Sequence, residues 1–227
     1  MTKRFGGVTA ISSCSLRLKE KSITGLIGPN GSGKTTLINL IHGIFKPDAG
    51  AIFFKGKNIT RLKPHKIVRL GIGRLFQVPR IFGHLTVTQN LLVPVLPLWK
   101  KGEIVQRVAK LLISADLIRV KDELAGNISH GEQRLTEICR ALMADPELIL
   151  LDEPFAGLHP STIEKIVSII KEFRGLKKTF FVVSHNIRTI MDVCDTVIVL
   201  NSGVKIAEGK PQDVQNNERV IDAYLGD

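Results

Sequence analysis

Gly28-Pro29-Asn30-Gly31-Ser32-Gly33-Lys34-Thr35-Thr36 decides the fold of this 227-residue chain. It follows the apolar run Ile23–Ile27 and precedes a helical pattern over roughly residues 34–44. Strand, glycine-rich turn and helix in that order fit G-x-x-x-x-G-K-[ST], a loop that wraps phosphate. Its glycines let backbone N–H groups turn inward around phosphate oxygens, and the helix start adds partial positive charge. Lys34 is spaced to reach β- and γ-phosphates, and the Thr35 hydroxyl to ligate Mg²⁺. The loop alone does not separate a transport motor from a kinase, a GTPase or a helicase.

A second stretch narrows the chemistry. Residues 148–151 form an apolar run that ends in Asp152-Glu153-Pro154. A central parallel strand is apolar throughout and ends at the ligand edge of its sheet. Two carboxylates there are costly without a cation or substrate beside them. Asp152 is therefore expected to hold Mg²⁺ through water, and Glu153 to orient or deprotonate an attacking water.

Outward from these two stretches, strand and helix patterns alternate, which implies an α/β core with a largely parallel sheet. Residues 10–28 read as strands, because Cys14, Leu16 and Leu18 alternate with polar positions. Further strands are expected at 51–54, 72–76, 148–151, Thr179–Val183 and 196–200. Residues 86–118 read as helical, with Val105, Val108, Leu111 and Leu112 at helical spacing and breaks at Pro94 and Pro97. A second helix is expected over 131–143, so that 86–143 forms an inserted arm.

Composition excludes some classes. The chain is 44% hydrophobic, enough for a core, and no apolar run approaches the 18 residues of a membrane span. No secretory leader pattern follows the first residues, so a cytoplasmic chain that docks on a membrane protein is expected. Cys14, Cys139 and Cys194 show no metal spacing. The net charge of +11 is uneven: residues 1–120 hold 20 Lys/Arg and four Asp/Glu. Residues 55–80 carry Lys55, Lys57, Arg61, Lys63, Lys66, Arg69, Arg74 and Arg80 with no acid. Such a face suits nucleotide phosphates, nucleic acid or anionic lipid, or is simply solvated.

Asn127-Ile128-Ser129-His130-Gly131-Glu132-Gln133-Arg134 resembles the signature of the ATP-binding-cassette (ABC) ATPases, usually written L-S-G-G-Q. Arg140-Ala141-Leu142 and Asp145-Pro146 follow, as in that family. Ile128 replaces Leu, His130 the first Gly and Glu132 the Gln. The resemblance runs from Phe5 to Leu225 and implies a P-loop NTPase (RecA-like) core with an antiparallel β subdomain and an inserted helical subdomain. It divides one ABC ATPase domain, 1–227, into 1–85 and 144–227 for the core and 86–143 for the helical part.

The resemblance also implies roles. ATP and Mg²⁺ are the expected cofactors, with Gly28, Pro29, Asn30, Gly31, Ser32, Gly33, Lys34, Thr35 and Thr36 around the phosphates. Ser129 and the Gly131 N–H would contact the γ-phosphate held by a second ATPase subunit, although Ser129 also fits a simple helix cap. Gln77 falls at the glutamine that senses Mg²⁺ and water, and His185 in Val183-Ser184-His185 at the histidine near the γ-phosphate. Phe5 falls at the aromatic that stacks on adenine, a core phenylalanine being the alternative. His159 stands where Asp is common, and no catalytic role is assigned to it.

Phe5-Gly6-Gly7-Val8, Phe76-Gln77-Val78-Pro79-Arg80-Ile81-Phe82 and Ala223-Tyr224-Leu225-Gly226 look like the ATPases of branched-chain amino-acid uptake systems. Urea importers and lipopolysaccharide-export ATPases share much of this pattern. The implied partners are integral membrane permease subunits, a second ATPase subunit and, indirectly, a solute-binding protein, with the chain peripheral on the inner face of the membrane. A soluble ABC ATPase acting on nucleic acid is the main rival. Such proteins usually carry two cassettes or long coiled-coil inserts, which this chain lacks, so no nucleic acid is expected.

Overall fold

The fold is described from a computed structural model, for residues 1–77, 80–95 and 101–225. A hairpin exposed at its tip, β1 (Lys3–Phe5) and β2 (Val8–Ile11), leads to the fully buried β3 (Ile23–Ile27) and, through the glycine loop, to α1 (Lys34–Ile41). A short hairpin, β4 (Phe53–Phe54) and β5 (Lys57–Asn58), precedes α2 (Pro64–Arg69) and β6 (Ile72–Leu75). Helices α3 (Val87–Leu92), α4 (Lys101–Ser114) and α5 (His130–Met143) follow without a named strand among the described residues. Then come β7 (Leu148–Asp152), α6 (Pro160–Gly175), β8 (Thr179–Val183), α7 (Ile187–Val193), β9 (Thr196–Asn201), β10 (Val204–Gly209), α8 (Pro211–Gln215) and α9 (Glu218–Leu225).

Six strands form one sheet in the order β10-β9-β3-β8-β7-β6. All neighbours are parallel except β10 with β9. Side chains alternate across the sheet. Leu148, Leu150, Phe181 and Val183 face α1 and α2, while Ile149, Leu151, Phe180 and Val182 face α5, α6 and α7. Phe180 and Phe181, both fully buried, thus anchor opposite layers, each stabilising by roughly 2 kcal/mol. The same alternation carries Asp152 and Arg74 to the α1 side, in line with Leu150 and Ile72.

Helix ends follow local chemistry. Thr86 and Ser129 each close a capping box, with Gln89 and Glu132 respectively. Pro160 starts α6 at a position where a missing N–H costs nothing.

One expectation fails. Residues 12–22 form no strand: the alternation of Cys14, Leu16 and Leu18 finds no neighbouring strand, and Ser13 and Lys21 take positive φ. Alternation describes a half-buried face, but only a partner makes a strand. The helical stretch expected over 86–118 forms α3 and α4, with α3 ending at Leu92 and a turn over residues 93–95, in line with the expected break at Pro94; Pro97 lies outside the described residues.

His42 supplies a pH signature. It ends α1, is 5% exposed, and sits edge-on to Phe76 at 6.2 Å. Burial, aided by the Arg74 charge, pushes its pKa down from 6.5 to about 4. The folded chain keeps His42 neutral where the unfolded chain protonates it. Stability is therefore intact above about pH 6.5 and falls as pH drops toward 4, by at most roughly 3 kcal/mol from this group. Urea unfolding across that window should show the loss, and His42→Leu should flatten it. An unchanged slope in the variant would refute this account.

Candidate nucleotide site

The glycine loop lies between close neighbours. At Gly28 (φ 153) a Cβ would stand 2.0 Å from the Leu200 carbonyl oxygen. At Gly33 (φ 102), the N-cap of α1, it would stand 2.5 Å from the Ala10 oxygen. No other residue fits both the left-handed backbone and that approach. The Gly33 contact seats the β1–β2 hairpin on the loop. Phe5 in that hairpin is 42% exposed and packs edge-on against Phe45, centroids 5.0 Å apart.

No side chain caps α1 and no acid stands in its first turn, so its leading N–H groups are open to an anion. Lys34 Nζ donates to the Gly28 and Pro29 carbonyls at 2.7 and 2.8 Å. The ammonium thus lies over the concave side of its own loop. Burial lowers its pKa, opposed by Glu153 and Asp152. Asn30, Gly31 and Thr35 are exposed, Pro29 and Thr36 half-buried, and Ser32 is buried with a hydroxyl that has no partner among the described residues.

Asp152 ends β7 at 1% exposure. Its Oδ2 accepts from Arg74 Nη2 at 3.1 Å, and its Oδ1 is buried without a partner among the described residues. Burial raises this carboxyl, opposed by Arg74. An orphaned carboxylate oxygen and the exposed Thr35 hydroxyl are hard oxygen donors that suit Mg²⁺. Among the described residues no cluster of three His, Cys, Asp or Glu side chains exists, so phosphates and water would have to complete the shell.

Glu153 takes the left-handed backbone (φ 49) and donates its N–H to Val183 O at 2.8 Å. Its Oε2 lies 2.8 Å from His185 Nδ1 and accepts the His185 N–H at 3.2 Å. The carboxylate is nearly buried and the imidazole largely exposed, so the pair spans from the core to the open face. A carboxylate held by a histidine at the open end of a buried strand can accept a proton from a water beside it.

Arg134 was not singled out from the sequence. Its side chain is 3% exposed and donates to the carbonyls of Phe76 (2.7 Å), Pro154 (3.4 Å), Asp152 (3.2 Å) and Glu153 (2.8 Å). It also pairs with Glu137 at 2.9 Å. One guanidinium therefore ties α5 to the end of β7 and to the residue before Gln77. The available signal was Arg134 and Glu137 at i, i+3 on the apolar face of a helix, where an unpaired charge is excluded.

Gln77 is exposed at the end of the β6 segment; Val78 and Pro79 after it lie outside the described residues. Ser129 caps α5 and is held by Glu132, whose Oε2 accepts from its N–H at 2.9 Å and its hydroxyl at 2.6 Å. No hydrogen bond or ion pair joins Ser129 or Gly131 to residues 28–36 among the described residues. His159 caps α6 through Nδ1, which accepts the Ser161 N–H at 3.3 Å. The basic run 55–80 is not one face: Arg74 is buried on Asp152, Lys55 pairs with Glu147, and the Arg80 guanidinium lies 4.2 Å from the Phe76 ring.

An anion cradle at a helix start, beside a buried strand ending in two carboxylates, defines a nucleoside-triphosphate-binding protein of the phosphate-loop class. The family model described as "ABC transporter" matches residues 11–156, and that of the branched-chain amino acid ATP-binding cassette transporters matches 204–227. The chain is 37% identical over 239 residues to a probable branched-chain amino acid transport ATP-binding protein of Archaeoglobus fulgidus, covering 100% of this chain and 93% of that one. It is 38% identical over 230 residues to the lipopolysaccharide export system ATP-binding protein of Haemophilus influenzae, covering 100% and 95%. The crystal structure of an ABC transporter's ATP-binding cassette in its ADP conformation superposes with a TM-score of 0.90 at 34% identity, covering 100% and 96%. The chain belongs to the ABC transporter family, as an ATP-binding subunit that hydrolyses ATP.

Proposed function

We propose that the chain drives uptake of branched-chain amino acids through membrane permease subunits, by ATP hydrolysis at the site between residues 28–36 and Glu153. The observation that carries the chemistry is the Glu153–His185 pair at 2.8 Å, at the end of the strand beside the loop. Phe5 stacks on adenine. The N–H groups of residues 28–36 and Lys34 hold the phosphates, Lys34 leaving its own loop carbonyls to do so. Thr35, Asp152 and Gln77 would hold Mg²⁺, which would supply charge neutralisation for the phosphate oxygens. Glu153 accepts the proton of the attacking water, and His185 holds Glu153 and donates toward the γ-phosphate as charge builds there. Ser129 and Gly131 act on the nucleotide of a second ATPase subunit, Ser129 exchanging Glu132 for phosphate.

The uptake reading is supported by the C-terminal match over 204–227 and by relatives named for branched-chain amino acid transport. No described helix is long and apolar enough to cross a membrane. A place on the inner membrane face, through permease partners, is supported by relatives named as ATP-binding proteins of transport systems. The half-exposed Phe82, with the Arg140 guanidinium 5.1 Å from its ring, is the proposed permease anchor. Lipopolysaccharide export is the second reading, favoured by the Haemophilus relative. Reconstitution with the permease subunits decides between them. Turnover stimulated by a solute-binding protein loaded with leucine, isoleucine or valine is expected; stimulation by lipopolysaccharide alone would overturn the uptake reading.

A further inference from the structure

Three pieces of the site converge on one side chain outside any of the motifs. Arg74 lies on β6, three residues before Gln77. Its guanidinium donates to Asn39 Oδ1 on α1 at 2.7 Å and to Asp152 Oδ2 on β7 at 3.1 Å. The Arg74 and Asp152 side chains are 3% and 2% exposed. The Phe76 ring lies 4.5 Å from the guanidinium, so the plane is fixed on its face as well as at its edge. Asn39 belongs to the helix that Lys34 and Thr35 begin. The helix behind the phosphate loop, the acidic strand and the strand leading to Gln77 are therefore pinned to a single cation.

The consequence for Asp152 is geometric. A carboxylate has two oxygens, and Arg74 takes one of them. The other, Oδ1, is buried and has no partner among the described residues. A buried carboxylate oxygen without a partner is costly unless something of positive charge is meant to meet it. Arg74 holds the carboxylate by Oδ2, and Asn39 holds Arg74 in turn, so the bond limits how far the carboxylate can turn about its last bond and keeps Oδ1 on the other side. Partners that fix a metal ligand in this way commonly change metal affinity by 10–100-fold when removed.

We infer that Arg74 is a positioning residue for Mg²⁺: it holds Asp152 by Oδ2 so that Oδ1 is presented to the ion or to a water on it. This rests on the reading of Asp152 as a metal-site residue. Arg74 stays in place when nucleotide binds, rather than occupying the ion's position and leaving. A cation that competed with Mg²⁺ would weaken metal binding, whereas one that orients the carboxylate strengthens it. The two roles predict opposite signs.

The test is equilibrium binding of ATP to the full chain, with Mg²⁺ and with EDTA, so that the gain due to the metal is read without turnover. Arg74→Met should shrink that gain by about tenfold or more while leaving the metal-free affinity, which Lys34 and the loop provide, unchanged. Asp152→Asn should shrink it at least as far. Arg74→Lys, which keeps a charge but cannot reach both Asn39 and Asp152 in one plane, should also lose most of it. It carries the test if the methionine variant does not fold. An unchanged or larger gain in Arg74→Met beside a lost gain in Asp152→Asn overturns the inference. Equal losses with and without Mg²⁺ overturn it too, by making Arg74 a structural pin only. A gain unaffected by Asp152→Asn sinks the metal reading of Asp152 itself.

Discussion

Glu153→Gln should lower ATP turnover in the assembled transporter by about 10²- to 10⁴-fold while ATP still binds, the range lost with a general base. The substitution keeps the shape of the side chain. It keeps an oxygen for the His185 contacts, at 2.8 Å to Nδ1 and 3.2 Å to the backbone N–H. What it removes is the capacity to take a proton from water. The backbone supports this reading, because Glu153 is held at φ 49, a region that costs a non-glycine residue about 1–2 kcal/mol. The bond to Val183 O and the Arg134 bond to Glu153 O fix that strained residue in place. Strain of this kind persists where surrounding structure over-determines it, and it collects at functional sites. Measured turnover near the wild-type rate would remove Glu153 from the mechanism.

Arg134→Met should have the largest effect on stability of any single change at this site. The side chain donates to four carbonyls and to Glu137, all inside the fold. Methionine fills the volume but leaves Glu137 only the more distant Arg140 as a charge partner, 3.9 Å from its Oε1, and removing the nearer partner of a buried pair costs up to about 3–5 kcal/mol. The midpoint of urea unfolding should fall accordingly. Arg134→Met with Glu137→Met should lose less than the two single losses added, because the under-paired buried carboxylate is gone. A small loss in the single variant would show that the carbonyls find water and that Arg134 is not the pin of this junction.

The sequence carried most of the site because phosphate chemistry imposes local patterns. Residues 28–36 must turn tightly between a strand and a helix, and a buried strand ending in Asp152 and Glu153 announces itself against apolar neighbours. The structure sets His185 on Glu153 at 2.8 Å and places Asp152 and Glu153 near the Lys34 ammonium. Long-range polar contacts were not legible. Arg74 reads as one of eight cations in a basic run, and nothing local says that its side of β6 faces Asn39 and Asp152. Arg134 reads as the last residue of the signature-like stretch, although its carbonyl partners lie 18 to 58 positions away in sequence. The stretch 12–22 failed in the opposite direction. Its alternation is real, yet Leu16 and Leu18 are only partly buried against the core and no strand pairs with them. Strand formation depends on a neighbour that the local pattern does not contain.

Titration of ATP with Mg²⁺ into the purified chain, wild type beside Lys34→Ala, tests the central claim most directly. Lys34 sits over the Gly28 and Pro29 carbonyls at 2.7 and 2.8 Å, which on the proposed function it exchanges for phosphate oxygens. Binding of one ATP per wild-type chain is predicted, with affinity falling by about tenfold or more in the variant, the loss of one charge-assisted contact. A wild-type chain that takes up no ATP, or a variant that binds it equally well, would contradict the account.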